Sequence, residues 1–317
     1  MTVKAHDIEA ADGTRLRLWE RSAADPERAV LFVHGATYAS RAIFAPRGAP
    51  EHSWLAAVAD AGDAGFALDL RGYGDSERPP EMDGPPTATE PVVRAATAAG
   101  DLRDAVNAVS KRTNCDVHLV GTSWGTMVAG RLLAADDSPE IASATLHAPV
   151  YRPTAELLEG FDLGDPPRAY RTVSRAEVRN RWDSQFPDDE PAAAYRGGNE
   201  ASDPVFDAFW QTLADSGQGN EDDQTLDAPN GTLLDLLDAA NGDPGYDPSA
   251  IDVPTLVIRG SLDPTSTRSD ALSLYDALSV PRDETTYVEI SGGTHLLHLE
   301  RRRHALYDAV RWFQERH

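Results

Sequence analysis

Val117-His118-Leu119-Val120-Gly121-Thr122-Ser123-Trp124-Gly125 is the stretch on which the reading of the fold turns. Val117 to Val120 reads as a buried strand, the Ala-rich run from Trp124 to Ala135 as a helix, and a G-x-S-x-G sequence lies at their junction. A strand that runs straight into a helix forces the serine into a strained backbone conformation, and glycines on either side let strand and helix approach. The Ser123 hydroxyl is thereby lifted above the sheet, over a helix N-terminus whose unpaired N–H groups and dipole favour an anion.

Outward from this junction, short β-branched and apolar runs alternate with longer amphipathic segments, the pattern of βα units around a largely parallel sheet. Ala29 to Val33, Phe66 to Leu70, Val117 to Val120, Ala142 to Leu146, Thr255 to Ile258 and Thr285 to Ile290 read as inner strands. Val3 to Ala10 and Arg15 to Trp19 flank the turn pair Asp12-Gly13 and read as an opening antiparallel hairpin, which brings the sheet to about eight strands. Helical spacing near Ser53 to Ala61, Val92 to Val109, Trp124 to Ala135, Arg268 to Ala277 and Glu300 to Gln314 supplies the covering helices. Residues 148–252 break this rhythm. They are rich in Asp, Gly and Pro, with helical patches only at Arg175 to Trp182, Pro204 to Leu213 and Thr232 to Ala239. The expectation is an α/β core of residues 1–147 and 253–317 that carries an inserted, mostly helical cap of residues 148–252.

A serine hydroxyl is a weak nucleophile and needs a histidine to take its proton and a carboxylate to orient that histidine. Of nine histidines, His295 lies in Ser291-Gly292-Gly293-Thr294-His295, a Gly-rich loop just past the last expected strand and on the expected side of the sheet. His298 is its rival, but reads as the start of the final helix, and His34 reads as a structural hydrogen-bonding residue. Asp263 follows the apolar strand Thr255 to Ile258, between Ser123 and His295 in the chain; the Ser, Asp, His order is that of triads built on α/β sheets. The competing loop, His147-Ala148-Pro149, has no acid. Two donors must hold a developing oxyanion, and the backbone N–H groups of Trp124 and Ala36 are the candidates, with Gly35 allowing the sharp turn. Thr37 and Tyr38 stand next to them as pocket residues. Trp182, Phe209 and Trp210, with Phe186 and Phe206, have two open uses, as an apolar acyl pocket or as the core of the cap itself.

With these residues assembled, the chain resembles the α/β-hydrolase superfamily over nearly its whole length. Val33-His34-Gly35 is similar to that family's HG oxyanion motif, Asp69-Leu70-Arg71-Gly72-Tyr73-Gly74-Asp75-Ser76 to its D-x-R-G-x-G-x-S loop, and His298-Leu299-Glu300 to the H-L-E after its catalytic histidine. The resemblance implies an α/β-hydrolase fold, a mostly parallel eight-stranded sheet flanked by helices, with a cap after the sixth strand of the sheet. It also implies a serine hydrolase with the triad Ser123, Asp263 and His295, expected to cleave a carboxylic ester through an acyl-enzyme. A serine nucleophile argues against haloalkane dehalogenases and epoxide hydrolases, which carry Asp. Ser123-Trp124-Gly125 is similar to the S-W-G of proline iminopeptidases, yet His34-Gly35-Ala36-Thr37-Tyr38 stands where they have HGGPG. An aminopeptidase, a C–C bond hydrolase, an acyltransferase and a non-catalytic ligand-binding homologue remain as alternatives.

Fifty-two acidic against 29 basic side chains give the 317 residues a net charge of −23, which sets nucleic acid and anionic membrane surfaces aside as partners in favour of a small acyl substrate. No G-x-G-x-x-G after a strand, no P-loop and no metal cluster points to a cofactor or metal. Cys115 is the only thiol, no apolar run approaches the length of a membrane span, and residues 1–20 lack a signal pattern, so a cytoplasmic protein is expected. Lys4 and Lys111 are the only lysines. Two readings compete: a GC-rich coding bias, which favours Arg, Ala, Gly and Asp, or a salt-rich cytoplasm in which a short Debye length leaves a carpet of carboxylates soluble.

Overall fold

The computed structural model describes residues 2–158, 163–199, 202–220 and 222–317. Residues 159–162, 200, 201 and 221 of the expected cap lie outside the described residues. The hairpin β1 (Lys4–Glu9) and β2 (Arg15–Ser22) is followed by β3 (Ala29–Val33), α1 (Ser40–Phe44), α2 (Trp54–Asp60), β4 (Ala64–Asp69), α3 (Ala95–Thr113), β5 (Val117–Thr122), α4 (Trp124–Leu133) and β6 (Ser143–His147). Then come α5 (Ala155–Leu158), β7 (Tyr170–Ser174), α6 (Arg175–Asp183), α7 (Ala192–Arg196), α8 (Pro204–Ala214), β8 (Gly219–Asn220), β9 (Thr225–Pro229) and α9 (Gly231–Ala240). β10 (Thr255–Gly260), α10 (Arg268–Ala277), β11 (Thr285–Ile290) and α11 (Arg303–Gln314) complete the chain.

Eight strands form one sheet in the order β1-β2-β4-β3-β5-β6-β10-β11, antiparallel at β1–β2 and β2–β4 and parallel beyond. β3 to β6 and β10 are buried along their whole length, as strands covered on both faces must be, whereas β1 alternates and edge strand β11 is half-buried. α3 packs along α4, and α2 meets α11 where Trp54 stacks on Tyr307 at 4.7 Å. A side chain at Gly121 would reach to 2.7 Å from the Gly125 carbonyl, and one at Gly125 would collide with the His34 carbonyl. This close approach sets α4 directly on the ends of β3 and β5.

The D-x-R-G-x-G-x-S stretch closes the sheet below the site. Buried Asp69 accepts from Trp19 Nε1, the Ser40 N–H and the Asp75 N–H at 2.9, 2.9 and 3.2 Å, and burial pushes its pKa up to about 6. Gly74 sits at φ +54 against that carboxylate, where a side chain would overlap it. Arg71 pairs with buried Asp101 at 2.5 Å and with Asp12 at 2.7 Å.

Two features of residues 148–252 differ from expectation. A three-stranded antiparallel sheet in the order β7-β9-β8 accompanies the helices. Its strands are short and largely polar, and β7 is separated from the other two by more than forty residues, so no alternation marks them in the sequence. The second difference is topological. β6 and β10 are parallel neighbours, with Ile258 opposite His147, so the chain must return to the far end of the sheet before β10 begins. α9 and the segment after it make that return: Asp235 and Asp238 pair with Arg94 at the start of α3, and Tyr246 lies over Gly130 of α4, where a Cβ would overlap its ring. Residues 231–252 thus also make the crossover back to the core, with α9 packed against both α3 and α5.

Candidate active site

Ser123 occupies φ 57, ψ −128 between β5 and α4, and its N–H donates to the His147 carbonyl at 3.0 Å. A non-glycine residue at this φ is strained, and the strain aims its side chain away from the sheet. His295 Nε2 lies 2.9 Å from Ser123 Oγ, and His295 Nδ1 lies 2.7 Å from Asp263 Oδ2. A carboxylate on Nδ1 keeps the proton there and leaves Nε2 to accept from the serine hydroxyl. The other oxygen of Asp263 accepts the Thr265 and Ser266 N–H groups at 2.8 and 2.9 Å. Arg259 braces the same loop, donating to the Ser266 and Asp263 carbonyls at 2.6 and 2.9 Å, and Glu289 at 2.5 Å balances its charge. Asp263 and His295 therefore rise from the carboxyl ends of adjacent parallel strands, the position that open α/β sheets reserve for ligands.

His34 is fully buried and builds the loop facing Ser123. Its Nδ1 is 2.8 Å from the Gly35 carbonyl, and its Nε2 accepts the Leu70 N–H at 3.1 Å, so it is a neutral Nδ1–H tautomer; burial pushes its pKa down to about 4. Holding the Gly35 carbonyl fixes the Gly35–Ala36 peptide, whose N–H points the opposite way. A Cβ on Gly35 would come within 2.9 Å of Ser123 Cβ, so only glycine lets this loop sit against the serine. The Ala36 carbonyl is held in turn by Tyr73 Oη at 2.8 Å and by Arg171 Nη2 at 2.7 Å. The Trp124 N–H belongs to the first turn of α4 and has no partner inside the helix. Its indole donates to Asp235 at 2.9 Å.

The roof reaches every part of this arrangement. Gln185 of the segment after α6 accepts the His295 N–H at 2.9 Å, and Gln218 donates to the Thr37 carbonyl at 2.7 Å. Trp182 donates to Glu300 at 3.0 Å. Glu300 is buried and also accepts from the Thr294 N–H and hydroxyl; burial raises its pKa against these donors. The H-L-E match thus marks a carboxylate that fastens the His295 loop. His298 is wholly buried beside His147, with ring centroids 5.5 Å apart, and burial pushes its pKa down to about 3. It lies in a short helical turn before the last helix, not at that helix's start.

A cavity of about 720 Å³ opens above Ser123 and His295, lined by Thr37, Tyr38 and Trp182 among others. Phe209 and Trp210 are not on its walls, contrary to the pocket reading. They are buried on the inner side of α8, where Phe209 meets Tyr38 edge-on at 5.2 Å and Trp182 at 5.8 Å. Arg171, Gln185, Gln218 and Asp235 escaped the sequence reading, since one more Arg, Gln or Asp in a polar, charged segment carries no periodic signal. Among the described residues, no group of three or more His, Cys, Asp or Glu could hold a metal ion, and no helix is long and apolar enough to cross a membrane.

No curated protein sequence matches the chain. Among solved structures it is similar to an esterase from Exiguobacterium antarcticum, at 16% identity and a TM-score of 0.66 over 98% of this chain and 100% of that one. A hydrolase from Pseudomonas aeruginosa PA01 aligns at 20% identity, TM-score 0.63, over 98% of each chain. A bromoperoxidase from Bacillus anthracis aligns at 17% identity, TM-score 0.64, over 98% of this chain and 100% of that one. Differently named activities on one architecture locate the reaction in the site and not in the fold. The model of the alpha/beta hydrolase family matches residues 30–309, and the chain belongs to that family.

Proposed function

We propose that the protein is a serine hydrolase that cleaves a carboxylic ester of a small acyl substrate through an acyl-enzyme. The observation that carries this reading is the unbroken pair of hydrogen bonds from Asp263 through His295 to Ser123, at 2.7 and 2.9 Å. Ser123 attacks the carbonyl while His295 Nε2 takes its proton and then returns it to the leaving alcohol; Asp263 fixes the imidazole tautomer. The N–H groups of Ala36 and Trp124 hold the oxyanion, and water, activated by the same histidine, releases the acid. The similar esterase supports this choice among the reactions the fold hosts.

The test is turnover of a p-nitrophenyl acyl ester series by wild type and Ser123→Ala, beside labelling by a fluorophosphonate serine probe. Ser123-dependent hydrolysis and labelling are expected; a folded protein that labels but leaves every ester intact redirects the triad to amide, C–C or acyl-transfer chemistry. Full activity in Ser123→Ala would falsify the mechanism. We further propose that the charge of −23 is an adaptation to a salt-rich cytoplasm. It predicts a melting temperature that rises from dilute buffer to molar KCl, and equal temperatures would return the composition to coding bias.

A further inference from the structure

Arginines are concentrated where this acidic chain meets its substrate. Arg168, Arg171 and Arg181 line the cavity with a single carboxylate, Glu177. Glu177 is engaged elsewhere: it accepts the Ser174 N–H and hydroxyl at 2.7 and 2.6 Å and caps α6.

Arg171 is the telling member. Its Nη2 donates to the Ala36 carbonyl and Thr37 hydroxyl at 2.7 and 3.0 Å, its Nη1 to the Pro229 carbonyl and Asn230 Oδ1 at 2.8 and 3.1 Å. All four acceptors are neutral, and no carboxylate pairs with this guanidinium among the described residues. Its Nε is buried without a partner. Burial and the neighbouring charge of Arg181 push its pKa down only to about 10, so it remains a cation at neutral pH. A desolvated cation held by neutral groups alone lacks most of the compensation that a counter-charge provides. Arg181 adds to the positive field at Arg171, and the wall opens onto Ser123.

We propose that the cavity binds an ester carrying a second, ionised carboxylate, with Arg171 as the anchor for that anion. The inference rests on the ester hydrolase reading for where the scissile bond lies, while the anion site itself stands on the cavity and Arg171. A monoanionic carboxylate suits a single guanidinium without a counter-charge on a wall that also holds Glu177. Arg171 would then be both a specificity residue and a positioning residue for the loop carrying Ala36.

The experiment compares esters of matched backbone that differ in charge: p-nitrophenyl hemiglutarate with p-nitrophenyl valerate for an acyl-side carboxylate, and 4-acetoxybenzoate with its methyl ester for an alcohol-side one. Wild type is expected to favour the anion of one pair at least ten-fold in kcat/KM, the effect of one charge-assisted hydrogen bond. Arg171→Met should slow both members, through the loop, and erase the preference; Arg171→Lys should keep part of it. Ser123-dependent turnover with no preference in either pair, or a preference unchanged in Arg171→Met, overturns the proposal and leaves the esterase reading intact. If no ester is turned over, the esterase reading fails alone, and calorimetry with glutarate on Ser123→Ala decides the anion site: binding lost on adding Arg171→Met supports it, and absence of binding overturns it. Should Arg171→Met not fold, Arg171→Gln takes its place in both arms.

Discussion

The sheet and the roof over it are held by different physics. Within the sheet, the inner strands bury apolar runs on both faces, and buried charges beside them, such as Asp69, Asp101 and Arg259, are saturated by hydrogen-bond donors or by an ion partner. The roof has its aromatic cluster, Trp182, Phe186, Phe206 and Phe209, but that cluster is built around a cation. Arg196, with a fully buried side chain, lies 4.5 Å from the Trp182 ring centroid and 5.4 Å from that of Phe186, and is paired with Asp183 and Asp203 at 2.6 and 2.5 Å. Buried ion pairs of this kind contribute little net stability compared with apolar groups of the same size, yet breaking one is costly. The core resists by bulk burial, the roof by a few irreplaceable partners. The difference matters because three further polar residues of this region, Asp235, Gln185 and Arg171, touch the turn at Ser123, the His295 loop and the Ala36 loop.

Changes on either side of this division test it, the triad having the largest expected effect. Asp263→Asn should lower kcat about 10⁴-fold with the fold preserved, because the wrong imidazole tautomer then faces Ser123; a loss of less than ten-fold would return Asp263 to a loop-capping role. Next comes Asp235→Ala, which leaves Arg94 and the Trp124 indole without their buried acceptor. The urea midpoint should report a loss of about 3–5 kcal/mol, and less than about 1 kcal/mol would mean that α9 merely rests on the core.

A third test sets the two regions aside and titrates the interior. His34 and His118, with pKa values near 4, and His298, near 3, are all lowered by burial. The unfolded chain binds protons on them from about pH 6.5 downward. The stability they contribute is therefore complete above that pH and is lost as pH falls toward 4. Asp69, held near 6, and Glu300, likewise raised by burial, act in the opposite sense, their contribution being lost as pH rises, so substitution of one histidine isolates the imidazole part. Stability should fall from pH 6.5 to 4.5, and His298→Phe should flatten that slope by up to about 1.4 kcal/mol per pH unit; an unchanged slope would show that His298 protonates in the folded state. The smallest effect belongs to Gln185→Ala. It strips the His295 N–H of its acceptor and should lower kcat several-fold with KM nearly unchanged, corresponding to about 1 kcal/mol. A change in KM alone would make Gln185 a wall and not a brace.

The core was legible because burial on both faces writes itself into sequence: Ala29–Val33 and Thr255–Gly260 are apolar runs at the expected places, and α10 has the expected bounds, Arg268–Ala277. Ser123, Asp263 and His295 stood out because each follows such a run. Roof elements that pack through polar groups gave no such signal. Tyr170–Ser174 and Thr225–Pro229 pair across more than fifty residues and carry polar or charged residues such as Arg171, Thr172, Thr225 and Asp227, and the anchoring of Trp182 to Glu300 joins residues 118 apart. Trp182, Phe209 and Trp210 show the limit well. Composition marks all three as buried, but only the angle of each around its helix decides that Trp182 reaches the cavity and Phe209 does not.

Placing the roof between β6 and β10 also orders events in time. The serine and its histidine are 172 residues apart in the chain. At about 5–20 residues per second, roughly 10–30 s of synthesis separate them. During that interval β3, β4 and β5 can already pair, while the strands bearing Asp263 and His295 have not yet left the ribosome. The nascent chain therefore carries Ser123 with no histidine beside it, and under the proposed mechanism it becomes competent only when the last strand docks.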